Sequence, residues 1–159
     1  MSSERHLSLY LNDHLAGSTA GYELAKRAAS NNKGTPLGDL LGRLAGEIDE
    51  DRKVLEGLMS ELGIQRNIAK GAAMWVAEKA GRLKFNGQLT GYSDLSRLIE
   101  LEGLTLGVEG KLAMWRTLIQ IRDKYPPLAG ANLEELARRA QDQLSELDGA
   151  HKDAAARAL

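Results

Sequence analysis

The chain of 159 residues has the length of one domain with a sizeable core. Its 21 Lys and Arg against 22 Asp and Glu leave a formal charge of -1, which supplies no drive toward nucleic acid or an anionic membrane. It has no Cys, so disulfides, zinc thiolates and cysteine nucleophiles are excluded, and no apolar run approaches a membrane span or the h-region of a leader.

Nothing reads as strand, because apolar residues recur at spacings of three and four between widely spaced Gly and Pro. The first helix is predicted over about residues 4–30, with Leu11, Leu15, Ser18, Tyr22, Ala25 and Ala29 on one face. The stretch SNNKGTP breaks it. Thr35 is placed to cap the next helix, and Pro36 suits its first turn, where no amide hydrogen is needed. The second helix runs to about Leu62 before Gly63. Its stripe is Leu37, Leu41, Leu44, Ile48, Asp51, Leu55, Leu58 and Leu62. A shorter third helix is expected over roughly 65–85, followed by the loop NGQLTGYS. Ser93 caps a long fourth helix with the stripe Leu98, Leu101, Thr105, Val108, Leu112, Trp115 and Ile119. The YPP at 125–127 stops it. Asn132 caps a fifth helix carrying Leu133, Leu136, Ala140, Leu144 and Leu147. The tail 149–159 is left open between helix and fraying.

Five amphipathic helices with short connections predict an all-α antiparallel bundle in a single domain, residues 1–159, and a soluble cytoplasmic protein. Four helices are long and the third is short. This order resembles the ferritin-like superfamily, in which a long crossover joins the second and third bundle helices. The resemblance implies a four-helix bundle with segment 63–92, and its own helix, as the crossover. An up-and-down bundle of helices one to four, with the fifth packed outside, is the competing layout.

Asp51 is the exception on its leucine stripe, and Glu47 stands one turn before it. A di-iron bundle needs one Glu from each of two helices and a Glu-x-x-His from each of the other two. Acids are present: Glu23, Glu47, Asp51, Glu78, Glu102 and Glu109. Imidazoles are scarce. His6, His14 and His151 are the only ones, and none follows a Glu by three. No catalytic, cofactor or metal residue is therefore assigned. Were an all-carboxylate site to exist, Glu47, Asp51, Glu102 and Glu109 are its candidates. The favoured reading pairs the inward acids with cations, because a buried carboxylate is costly alone. Lys79, Arg82 and Arg116 are the cations at suitable positions.

The remaining polar features read as structural. His14 next to Asp13 forms no relay, and Ser18 is expected to bond its own backbone. Lys79, Arg82 and Lys84 near a helix end suit the helix dipole. Glycines repeat every four residues at Gly17 and Gly21, at Gly38, Gly42 and Gly46, and at Gly103 and Gly107. Each costs about 1 kcal/mol against alanine inside a helix, so a close backbone approach is expected there, to the fifth helix or to a second copy. The expected role is structural or interactive, as a homodimer without cofactor. The alternative is a di-metal carboxylate protein acting on oxygen or iron. A small molecule held between helices is a third class, with its ligand unidentified.

Overall fold

The computed structural model describes residues 2–67 and 91–159. The helix expected over 65–85 falls almost wholly outside these, as do Glu78, Lys79, Arg82 and Lys84. The described residues form helices α1 (Ser3–Asn31), α2 (Pro36–Glu61), α3 (Asp94–Ile121), the single turn α4 (Pro126–Ala129) and α5 (Leu133–Ala158), with a 3-10 turn at Arg122–Lys124. They contain no strand.

The caps fall where the side chains allow. Thr35 Oγ1 accepts from the Gly38 amide, and Pro36 opens α2. Ser93 and Ser96 form a reciprocal capping box at α3. Asn132 accepts from the Glu135 amide at α5. Gly63, at φ 68°, takes the left-handed conformation that ends α2. Gly149 does not end α5, which continues to Ala158. The Ala-rich tail favours helix, and Lys152 pairs with Asp148 one turn apart.

α1 packs along α2, and α3 packs along α5; these are the two most extensive contacts. A smaller contact joins α1 to α3, and α2 meets α5 with little backbone approach. Cross-helix pairs give the directions. Arg43–Glu146, Glu47–Gln143 and Glu50–Arg139 run antiparallel between α2 and α5. Glu102–His151, Lys111–Gln143 and Arg122–Glu134 do so between α3 and α5.

The core formed by the described residues is aliphatic, with Trp115 the largest fully buried side chain among them. Its faces are slightly rotated from the expected stripes. α3 buries Leu104 and Leu118 where Thr105 and Ile119 are only partly covered, and α1 buries Leu7, Ala16, Ala20 and Ala28 instead of Ser18 and Tyr22.

At one end Asn32 ties three helices together. Its Nδ2 donates to the Ala28 carbonyl and to Tyr92 Oη, its Oδ1 accepts from Arg97 Nε, and its carbonyl accepts from Thr35 Oγ1. A Cβ on Gly38 would stand 2.2 Å from that same carbonyl oxygen, so only glycine fits. Toward the other end, Asn12 on α1 holds Gln65 and Asn67 beyond α2. The chain thus leaves α2 beside Asn12 and enters α3 beside Asn32, about 30 Å away at 1.5 Å per helical residue.

Candidate functional site

Asp51 points inward from α2 and is 1% exposed. Its Oδ2 accepts from Lys111 Nζ at 2.6 Å, and its Oδ1 accepts from Arg139 Nε at 3.1 Å and from Arg139 Nη2. Both carboxylate oxygens are therefore engaged by cations. Lys111 Nζ also donates to Gln143 Oε1 at 2.5 Å, and Gln143 Nε2 donates to Glu47 Oε2 at 2.7 Å. Arg139 Nη1 reaches Glu50 at 2.8 Å, and Arg43 bridges Glu47 and Glu146 at the rim. The network grades from a buried interior to an exposed edge between α2 and α5.

The electrostatics follow burial. The Lys111 side chain is only 11% exposed, and desolvation pulls its pKa below the ordinary lysine value, with Asp51 opposing. Burial also disfavours charge on Arg139, but the hydrogen bonds and charges of Asp51 and Glu50 prevail and raise its pKa. A second buried carboxylate, Glu100, lies near Arg27, Asn31 and Tyr92. Burial raises its pKa above the usual range, against Arg27 and these hydrogen bonds.

Beside Asp51 and Lys111 a cavity of ≈ 260 Å³ opens between α1, α2 and α3. Gly17 and Gly21 of α1 face Gly107 and Gly110 of α3 across it, and Trp115 lies among its walls. Two of its lining residues carry a buried donor, Trp115 Nε1 and Arg52 Nε, that has no hydrogen-bond partner among the described residues and almost no accessible surface. His14 also lines it, packed edge-on to Tyr10 at 4.6 Å, and burial lowers its pKa despite Asp13.

The structure brings Asp51 and Glu47 together and leaves the other candidates apart. Glu102 is exposed and pairs with His151 at 3.1 Å; Glu109 is exposed as well. Among the described residues no group of three or more His, Asp or Glu side chains is arranged to hold a metal ion. Arg116, one expected cation, faces solvent, because it lies off the buried side of α3. Ser18 donates to the Leu15 carbonyl at 2.8 Å, the local backbone bond expected of it.

Lys111, Arg139 and Gln143 were not among the sequence candidates. Two of them carry a signal: Lys111 follows Val108 by three and precedes Trp115 by four, and Gln143 precedes Leu147 by four. Nor does α5 cover the glycines of α2. Gly42 and Gly46 are exposed with open space beside them, because α5 meets α2 through Arg43, Glu47 and Glu50 on another face. Among the described residues no helix is long and apolar enough to cross a membrane. No protein-family model matches this chain, and no curated protein or solved structure compared with it matches either.

Proposed function

We propose that this chain is a structural or interaction protein of the cytoplasm, built as a ferritin-like four-helix bundle whose interior carries an ion-pair network in place of metal. The bundle in this reading runs α1, α2, α5, α3 around its axis, with every neighbour antiparallel. Three observations support that order: the antiparallel pairs between α2 and α5, those between α3 and α5, and the lengthwise separation of the α2 exit from the α3 entry. A connection spanning the bundle between its second and third helices is the feature shared with the ferritin-like layout.

The observation that carries the functional reading is the saturation of Asp51. A divalent cation on this carboxylate would have to displace Lys111 and Arg139 and then sit beside both charges. A di-metal centre also needs further carboxylates converging from other helices, and Glu102 and Glu109 lie at the surface. Among the described residues the donor set therefore does not fit such a centre. The test is elemental analysis of protein expressed in iron- and manganese-supplemented medium and purified without chelator. Metal far below one ion per chain is expected; about two ions per chain, the di-iron stoichiometry, would overturn the reading.

A further inference from the structure

The cavity between α1, α2 and α3 has buried apolar walls at Ile48, Leu55 and Val108, and exposed residues at its mouth, Asp13 and Gly107 among them. We propose that it binds a small primary amine in its ammonium form, with the apolar body of the amine inside the cavity and its ammonium group at Asp13.

Position and size come first. The residues that α1 contributes to the lining, Asp13, His14, Gly17, Ser18 and Gly21, share one helix face, at spacings of three and four. Asp13 stands one turn before Gly17 on that face. A Cβ on Gly17 or Gly21 would meet nothing within 4 Å, so α1 leaves room beside the carboxylate. An apolar cavity of about 150 Å³ accommodates benzene. By proportion, ≈ 260 Å³ takes about ten non-hydrogen atoms.

The sign of the ligand follows from which charges of the lining are already paired. Asp51 is taken by Lys111 and Arg139, and Arg52 by Asp49 at 2.5 Å with Glu56 at 3.9 Å. Asp13 is the remaining charged residue of the lining; it is exposed and makes no ion pair among the described residues. Next to it, burial holds His14 toward its neutral form despite the Asp13 charge, so the imidazole does not repel a cation and offers one acceptor nitrogen. A carboxylate ligand would meet Asp13 while both cations of the lining are occupied. A neutral ligand would gain nothing from Asp13. An ammonium group gains a charge-assisted hydrogen bond there. Because Asp13 is exposed, that gain is modest and is screened by salt.

The test uses the full chain and three probes of matched size: phenethylamine, the neutral phenethyl alcohol, and phenylacetate. Binding is followed by two-dimensional amide NMR at low salt, on the assigned signals of Gly17, Gly21, Gly107 and Gly110. Saturable one-to-one binding of phenethylamine is expected, about fivefold tighter than phenethyl alcohol, with phenylacetate weakest. Asp13→Asn, at an exposed position, should remove the advantage of the amine and leave binding of the alcohol unchanged. Sodium chloride at about 1 M, where charges are screened beyond ~3 Å, should shrink that advantage as well. Gly17→Leu places a side chain on the cavity face of α1 and should abolish binding of all three probes while circular dichroism shows unchanged helical content. Phenethyl alcohol or phenylacetate binding as tightly as the amine, an amine advantage that survives Asp13→Asn, no saturable binding of phenethylamine at millimolar concentration, or full binding by Gly17→Leu would each overturn the proposal.

Discussion

At the residue scale, Asp51 shows how far a pattern reaches. A carboxylate at a leucine position announces an inward charge, and the structure places it there with two cations. Which cations was not legible from α2 alone, because partners come from whichever helix the topology brings alongside. Lys111 stood on the buried face of α3 and was readable as polar in the core; Arg139 depends on the placement of α5. The energetics separate breaking the pair from replacing it. Asp51→Ala strands the buried Lys111 ammonium and should destabilise the protein by about 3 kcal/mol in urea unfolding. Arg139 is partly exposed and retains Glu50, so it adds less. Asp51→Leu combined with Lys111→Met should recover most of that loss, since apolar replacements of buried ion pairs are often neutral or better. An unchanged urea midpoint for Asp51→Ala would show that the network contributes nothing to stability.

At the element scale, helix starts were readable because caps are local chemistry: Thr35, Ser93 and Asn132 each accept from an amide three residues on. The turns between α3 and α5 were less so. The sequence YPP ends a helix, but here it also starts the short α4, since proline is well suited to a first turn. Glycines were the least readable signal. Their spacing looked uniform, yet their surroundings differ. Gly38 is pressed against the Asn32 carbonyl, whereas Gly149 is exposed with nothing within 4 Å of a Cβ. Opposite effects should follow in thermal unfolding. Gly38→Ala should destabilise by about 1–3 kcal/mol through backbone displacement, and Gly149→Ala should stabilise by about 1 kcal/mol by favouring helix. Destabilisation by Gly149→Ala would mean that the end of α5 is not helical in solution.

At the scale of the whole molecule, helical content and the division into long helices were legible, because periodicity and punctuation are properties of the chain itself. The order of helices around an axis was not, since the same stripes serve several arrangements. Association stands beyond it. We infer a homodimer that uses the exposed Gly42 and Gly46 face of α2, which the rest of the described chain leaves open. Small residues permit helix axes to approach closer than the usual 8–10 Å. Sedimentation equilibrium at high micromolar concentration should give twice the chain mass, and the double substitution Gly42→Leu, Gly46→Leu should return it to one chain with helicity intact. A monomer at that concentration would remove the idea.

The joint at Asn32 has a mechanical consequence. α1 and α3 lie close where Asn31 meets Glu100 and where a Cβ on Gly103 would touch Leu24 at 3.2 Å; farther along, Gly17 and Gly107 line the cavity between them. The Asn32 end is the apex of this pair, fastened by hydrogen bonds, and the cavity lies farther along. A rotation of about 2° at the apex displaces a point about 30 Å along a helix by about 1 Å. Within one turn of the apex the same rotation moves atoms by only about 0.2 Å, within the tolerance of a hydrogen bond. Lever geometry thus lets the gap between α1 and α3 change in width while the Asn32 bonds stay made.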